Sequence, residues 1–230
     1  MVINVKKTVV ITYSRKTLLQ NYSYYINKEE IRRECVVSDL GVLFDSKMLF
    51  TQHVNGVTSR ARRNLGLILW ISRHFRNSAT VIRRYKAMVR PLLEYCPVAW
   101  NYNRECTRSK LESVQKKLFW HLGRRFGIPL NSYEDYCSYF RLESLETRRA
   151  LQELIYMYRC VHGHYEGQIS KIGFRVPYCS TRAHRLLLYM GCGQLAPMAR
   201  CVALTNSLDI DVFCTDFEEF KKEGKRALLP

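Results

Sequence analysis

Residues 51–75 read TQHVNGVTSRARRNLGLILWISRHF, and their spacing sets the class of the fold. Val54, Val57, Ala61, Leu65, Ile68, Ser72 and Phe75 fall in a narrow sector at 3.6 residues per turn, which predicts an amphipathic helix with one face in a core. Arg60 and Arg62 flank that face, while Arg63, Trp70 and Arg73 lie roughly opposite it. Asn77-Ser78 then reads as the cap of a second helix with Val81, Tyr85, Met88, Val89 and Leu92 turned inward. On its outer side Arg83, Lys86 and Arg90 are spaced i, i+3, i+7, a ridge ~10 Å long by helical rise. Pro91 within this pattern predicts a kink or a new segment.

Working outward, a third helix is expected from about Arg104 to Leu122. Leu111, Val114, Leu118 and Leu122 face inward, and Lys110, Lys116 and Lys117 face outward. Gly123 to Leu130, with Gly127 and Pro129, reads as a domain boundary. A long helix from Leu142 to Val161 follows, then a short strand from Ile172 to Val176. Residues 178–195 read as irregular, and Ala199–Asn206 and Asp216–Lys222 as short helices. Upstream, Thr8–Tyr13, Tyr22–Ile26 and Leu40–Phe44 read as strands, with a turn at residues 27–30. This β-rich edge is too small to stand alone. The fold class is therefore α+β, mostly α: a small β portion (1–50), a helical domain (51–130) and a second helical segment (131–230).

Between Asp45 and Glu94 there is no carboxylate, yet the stretch carries Lys47, Arg60, Arg62, Arg63, Arg73, Arg76, Arg83, Arg84, Lys86 and Arg90. The whole chain is at +17, with a pI near 9.6. Charged residues make up an ordinary 25%, so the sign imbalance is the signal. Such a surface repels itself, and it is stabilised when a polyanion neutralises it and releases counterions. Nucleic acid is the partner this implies; an anionic membrane surface or a plain solvated face are the alternatives.

The 47% hydrophobic content excludes a disordered chain. The nine cysteines are scattered singly, which fits free thiols in a reducing compartment better than a disulfide framework. Val9 to Ile11 is too short an apolar run for a signal peptide. The longest uncharged stretch, Leu186 to Ala199, is too short to span a bilayer. The expectation is an intracellular protein, nuclear or cytoplasmic. Cys160-x-His162-x-His164 offers zinc-ligand types, with Cys179, His184 and Cys192 further on. The spacing matches no zinc knuckle, and Gly163 explains the pattern as a helix cap, so no metal site is expected.

A set of short motifs runs through the chain in fixed order. These are Asp39-Leu40-Gly41-Val42-Leu43-Phe44-Asp45, Phe50-x-x-His53, Leu65-Gly66, Val89-Arg90-Pro91-Leu92-Leu93-Glu94-Tyr95 and Val98-x-Trp100. They continue with Glu112-x-x-Gln115, Leu142-x-Ser144-Leu145-x-x-Arg148-Arg149, Phe174-x-Val176-Pro177 and Asp211-Val212-Phe213 before Phe217-x-x-Phe220-Lys221. Together they resemble the C-terminal part of a reverse transcriptase from non-LTR retrotransposons of the jockey-like kind.

The resemblance implies a palm remnant over 1–50, a thumb over 51–130 and the segment that follows the thumb. It implies that Lys7 is similar to the motif D lysine, and that Leu40 and Gly41 lie in the primer-grip region. It implies nucleic-acid contact by Arg60, Arg62, Arg63, Arg73, Arg83, Lys86, Arg90, Lys116 and Lys117. The family is an RNA-directed DNA polymerase using Mg2+, held by an aspartate and an Asp-Asp pair upstream of motif D. No Asp-Asp pair occurs in this sequence. Tyr133-Glu134-Asp135 is a faint lookalike beyond the thumb.

The expectation is a truncated reverse transcriptase with no catalytic residue and no cofactor of its own, binding RNA/DNA or DNA duplexes nonspecifically. The alternative is a non-enzymatic scaffold that self-associates or binds a related polymerase through apolar surface around Val9, Ile11, Leu43 and Phe44.

Individual residues keep two readings. Lys7 is a proton donor to departing pyrophosphate or a solvated lysine at a strand end. Gly41 serves a primer terminus or a tight turn. Trp70 stacks on a base or packs on protein. Arg148 and Arg149 pair along their helix with Glu143, Glu146 or Glu153.

Overall fold

The computed structural model describes residues 4–14, 22–101, 105–129, 131–165, 173–175, 187–189, 197–208 and 210–228. A 3-10 turn, Val5–Lys7, precedes six short strands: β1 Val9–Val10, β2 Tyr25–Ile26, β3 Glu29–Glu30, β4 Arg32–Arg33, β5 Val36–Asp39 and β6 Val42–Asp45. The helices that follow are α1 Thr51–Ile71, α2 Ser78–Met88, α3 Arg90–Glu94, α4 Pro97–Trp100, α5 Glu105–Phe126, α6 Tyr133–Phe140 and α7 Leu145–Val161. Then come β7 Gly173–Arg175, β8 Leu187–Tyr189, α8 Pro197–Ser207 and α9 Phe217–Ala227. The fold is mostly α with short strands.

The strands pair two by two: β1 with β4 in parallel, and β2–β3, β5–β6 and β7–β8 antiparallel. Leu40-Gly41 is not strand, as the sequence suggested, but the two-residue turn joining β5 to β6. Its φ values of 46° and 84° are the both-positive geometry that matches the twist of a hairpin. Asn27-Lys28 does the same between β2 and β3, at 51° and 68°. Only Val9–Val10 of the expected Thr8–Tyr13 strand pairs, and β5 was not anticipated. Lys7 is exposed and ends the 3-10 turn just before β1.

The start of α1 is fixed by a carboxylate. Asp45 accepts hydrogen bonds from the backbone N–H groups of Lys47 (3.1 Å), Leu49 (3.0 Å) and Phe50 (2.6 Å). That holds Phe50 in a left-handed conformation, with φ at 54° and its ring buried. One turn on, the buried His53 accepts the Leu43 N–H at Nδ1 (3.2 Å) and tilts against Trp100, ring centroids 5.2 Å apart. Trp100 donates from Nε1 to the Tyr95 carbonyl (2.7 Å), and the Tyr95 hydroxyl donates to the Leu40 carbonyl (3.0 Å). The β5–β6 hairpin is thus tied to α1, α3 and α4.

α1 ends at Ile71, and α2 is capped as expected, the Asn77 side chain accepting from Ala79 N–H. The second helical run breaks at Val89, before Pro91, so α2 and α3 are separate segments. Their inward face is Val81, Ile82, Tyr85, Val89 and Leu93. Met88 and Leu92 were expected there, but Met88 is exposed and Leu92 only half-buried.

The main core runs without interruption from Val42 to Leu145. It therefore crosses the boundary expected at 123–130. α6 folds back so that Tyr136 and Phe140 stack with Phe119 of α5, at 5.6 and 5.7 Å. Buried polar groups cross the same line. Gln115 accepts from the Tyr85 hydroxyl (2.8 Å) and donates to the Tyr133 hydroxyl (2.9 Å) and the Glu143 carbonyl (3.0 Å). Glu112 accepts from the Tyr133 hydroxyl and from the Glu146 N–H (2.7 Å). Four helices share this network, so residues 51–161 behave as one packed unit.

Glu134-Asp135, the faint acidic lookalike, belongs to a capping box. Ser132 accepts from Asp135 N–H (3.0 Å) and Asp135 accepts from Ser132 N–H (3.2 Å).

A second core joins the end of α7 to α8 and α9 through Met157, Cys201, Val212 and Phe220. α7 starts later than expected, with Ser144 as its cap, and ends in a Schellman motif at Gly163. Gly163 has φ +73°; its N–H meets the Cys160 carbonyl, and the His164 N–H meets the Arg159 carbonyl. Cys160 is buried, and His162 stacks on Tyr158 at 4.0 Å. The Cys160–His164 pattern is a helix end. Arg104, Ile172, Val176, Cys179, His184 and Cys192 lie outside the described residues, while β8 occupies part of the stretch expected to be irregular.

Candidate nucleic-acid interface

The sequence leaves α1 free of carboxylates, and the fold decides where its cations point. The buried side of α1 carries Val54, Val57, Ala61, Leu65 and Ile68. By helical periodicity, one flank carries Asn55, Arg62, Gly66 and Leu69, the crest carries Arg63 and Trp70, and the other flank carries Arg60, Leu67 and Ile71, with Arg73 in the 3-10 turn Ser72–His74 beyond the end of α1. Hydrogen bonds identify the neighbours. Lys110 of α5 donates to Asn55 (3.0 Å) and Arg62 donates to Ser113 of α5 (2.9 Å). Arg125 closes the far end, donating to the carbonyls of Ser72, Arg73 (2.7 Å) and Phe75 (2.6 Å). Those carbonyls follow the last turn of α1, where the helix leaves acceptors unsatisfied and a cation is favoured. The partners rise together in number, so α1 and α5 run parallel. The opposite flank meets the α2–α3 junction, where Asn64 donates to the Met88 carbonyl (3.1 Å).

Arg60, Arg62, Arg63, Arg73, Arg83, Lys116 and Lys117 are exposed, and Lys86 is half-buried. None of them forms an ion pair among the described residues. Lys116 departs from the rest of the set, because its ammonium sits 5.3 Å from the Tyr133 ring, on the α6 side of α5. Arg90 departs further. It belongs to α3, its side chain is 23% exposed, and its Nε lies 3.7 Å from Glu94. The expected three-cation ridge is therefore Arg83 and Lys86, with Arg90 turned toward a buried acid.

That acid joins a group of which the sequence pointed to Glu143, Glu146 and Glu153 but not to Glu94, and the expected Arg148–Glu143 pair is present. Glu94 is buried and receives a two-pronged contact from Arg148, whose Nη2 bond measures 3.0 Å, while Arg148 also reaches Glu143 (3.1 Å). Arg149, expected on the helix surface, is fully buried and donates from Nε to Asn101 (3.1 Å). Glu153 accepts from Asn101 (3.0 Å) and pairs with Arg200 (3.4 Å); burial raises its pKa despite these partners. Arg108 holds Glu146 (2.8 Å), and Lys225 holds Glu143. Of these, Arg108, Glu143, Glu146, Arg149, Glu153, Arg200 and Lys225 line a groove of about 1670 Å³ between α5, α6, α7, α8 and α9. Acids and bases are matched in this groove, whereas the α1–α2 face is basic alone.

Leu40 is 84% exposed and Gly41 lies against Tyr95, so the turn pair presents backbone rather than a charged contact. Among the described residues no three His, Cys, Asp or Glu side chains converge as a metal site. Among them, too, no helix is long and apolar enough to cross a membrane, and seven cysteines are free thiols.

No family model matches the chain, and no solved structure matches it. An uncharacterized protein of Caenorhabditis elegans is 27% identical over 129 residues, which cover 56% of this chain and 65% of that protein. The alignment thus spans less than two thirds of that relative's length.

Proposed function

We propose that this chain is a nucleic-acid-binding polypeptide, akin to the end of the palm, the thumb and the following segment of a jockey-like non-LTR reverse transcriptase. It holds nucleic acid nonspecifically through phosphates and does not itself polymerise nucleotides. The observation that carries this reading is the segregation of charge. Arg60, Arg62, Arg63, Arg73, Arg83 and Lys117 are exposed without carboxylate partners on one side, while the acids of α3, α5 and α7 are paired on the other. The motif residues add support, because Asp45, His53, Tyr95, Trp100, Glu112, Gln115 and Arg148 each hold one element to another.

Titration of labelled duplex with the full chain at increasing salt tests it. Six engaged cations give a slope of log affinity on log salt of about −5 for a DNA duplex, or a loss of about a thousandfold from about 50 to about 200 mM. Changing Arg83 and Lys117 together to Ala lowers that slope by about 2. An unchanged slope removes these two residues from the interface, and salt-independent binding refutes the phosphate reading. Magnesium-dependent primer extension by the pure chain would refute the non-polymerising part.

A second reading rests on a different surface. Val9, Ile11, Leu43 and Phe44, expected to be uncovered, are half-buried, but Leu67, Trp70, Ile71 and Met88 are exposed. Leu67, Trp70 and Ile71 belong to the last turns of α1 and Met88 to the end of α2, and a scaffold that self-associates or captures a related polymerase would use them. Sedimentation as a monomer at all concentrations counts against self-association.

A further inference from the structure

Arg149 stands in the second turn of α7. It is only 1% exposed, yet it lines the groove between α5, α6, α7, α8 and α9. Its Nε donates to Asn101 (3.1 Å), but its Nη1 is buried and meets no acceptor. Among the described residues Arg149 forms no ion pair.

The acids around it are engaged elsewhere. Glu112 accepts from the Tyr133 hydroxyl and the Glu146 N–H, Glu146 pairs with Arg108, and Glu153 takes Asn101 and Arg200. Burial lowers the pKa of Arg149, and Glu112, Glu146, Glu94 and Glu153 oppose this through space. A buried donor without an acceptor is costly, and more so when it carries charge. Water would fill the missing hydrogen bond but bring no charge. An oxyanion answers both, and Asn101 on Nε leaves it the two terminal nitrogens, whose N–H groups match two oxygens of a carboxylate or phosphate.

The groove admits more than a bare ion. Its volume of about 1670 Å³ exceeds the roughly 300–1,000 Å³ of ordinary small-molecule sites. Ala199, Val202 and Ala203, spaced i, i+3, i+4 on α8, give it an apolar wall, and Ala150 of α7 leaves room beside Arg149. The exposed groups lining it are of both signs, Lys116 and Arg141 with Glu105 and Glu134. Selection therefore rests on the buried guanidinium, unlike the general attraction of the α1–α2 face.

We propose that this groove binds a small organic oxyanion, a carboxylate or a phosphate ester. The terminal nitrogens of Arg149 hold its charged end, and its apolar part lies against Ala199, Val202 and Ala203.

The test is calorimetric titration of the full chain with phenyl phosphate and with phenylacetate at one ionic strength. The parent protein binds at least one of them. Tighter phenyl phosphate assigns the site to phosphate esters, and tighter phenylacetate to carboxylic acids. Arg149→Lys keeps the charge but loses the fork, and weakens binding by at least about tenfold. Changing Arg83 and Lys117 together to Ala, on the basic face, alters it less than about twofold. A readout in the parent protein guards against misfolding of the Arg149→Lys variant: the Nε–H resonance of Arg149, assigned through its backbone, shifts and saturates with the calorimetric affinity. Binding of neither probe would overturn the inference. So would equal binding by Arg149→Lys, a larger loss on the basic face, or an Arg149 resonance unmoved at saturation. The nucleic-acid reading stands apart from each of these results.

Discussion

Mild acid should destabilise this protein through a single buried imidazole. His53 is 2% exposed, and its Nδ1 accepts the Leu43 N–H, so the folded state requires a neutral ring. Burial, and then the nearby Arg60 charge, lower its pKa from 6.5 to about 4. The unfolded ring takes up a proton near 6.5 and the folded ring does not until near 4. Stability from this residue is therefore complete above 6.5, falls as pH drops through the interval, and is fully lost below 4. At about pH 5 the unfolded ring is almost wholly protonated and the folded ring about one-tenth. The ratio of the two binding polynomials is then about 30, which is a loss of about 2 kcal/mol relative to neutral pH.

The perturbation that isolates His53 is His53→Asn. Its side-chain oxygen can accept the same Leu43 N–H, but the group does not titrate. The variant loses the ring contact with Trp100 and should start about 1–2 kcal/mol less stable at about pH 7.5. Urea denaturation of parent and variant at about pH 7.5 and about pH 5 gives four stabilities, and the difference of differences should be about 2 kcal/mol. Parallel losses in the two proteins would refute the reasoning, because the pH dependence would then arise elsewhere. A proton-exchange titration placing His53 near 6.5 in the folded protein would refute it directly.

Two further outcomes follow from charges and turns already described. Arg148→Met leaves the buried Glu94 carboxylate with Arg90 alone and should cost about 3 kcal/mol in urea denaturation, whereas adding Glu94→Leu should recover most of that; no recovery would mean that Arg148 acts through packing. Gly41→Ala places a Cβ on a residue with φ +84° and should lower stability by about 1 kcal/mol while leaving the salt dependence of nucleic-acid binding unchanged; a loss confined to binding would give the turn a role in holding a primer.

The parts of this fold that the sequence displays are those governed by local period. The α1 stripe from Val54 to Ile68 is continuous, uninterrupted by proline, and faces one core, so its burial follows from spacing alone. The Asn77 cap is legible for the same reason. What escaped depends on distant partners. Glu94 looks like an acid at the end of a short helix until Arg148, more than fifty positions later, closes over it. Arg149 looked like surface because arginine usually is, and only Asn101 and the α4–α7 packing explain its burial. Gln115 did carry a signal, since it sits within the inward stripe of Leu111, Val114 and Leu118, where an amide needs buried partners. Gly127 and Pro129 do mark a break in the chain, yet a break in backbone is not a break in core. The aromatic rings of α6 return over Phe119 and cancel it. Leu40-Gly41 was misread because leucine beside a glycine continues an apolar run, while the backbone needed two positive φ angles.

The same distant pairing changes what the net charge of +17 means. Glu94, Glu143, Glu146 and Glu153 are matched by Arg148, Arg108, Arg200 and Lys225, so the groove side of the molecule is close to neutral at short range. Among the described residues, the cations of α1, α2 and the outer edge of α5 are left without carboxylate partners. A polyanion approaching from that side meets a field stronger than an even distribution of the same total would produce, and one approaching from the groove meets little. Attraction is therefore oriented before any contact forms. The fold achieves this by using its carboxylates as internal fasteners between α3, α5 and α7, which removes them from competition with phosphate for the arginines of α1. Stability of the helical unit and exposure of its basic face are consequences of one arrangement. Breaking the Glu94–Arg148 pair would release a carboxylate and a guanidinium together, loosening the scaffold that keeps the cations of α1 aligned.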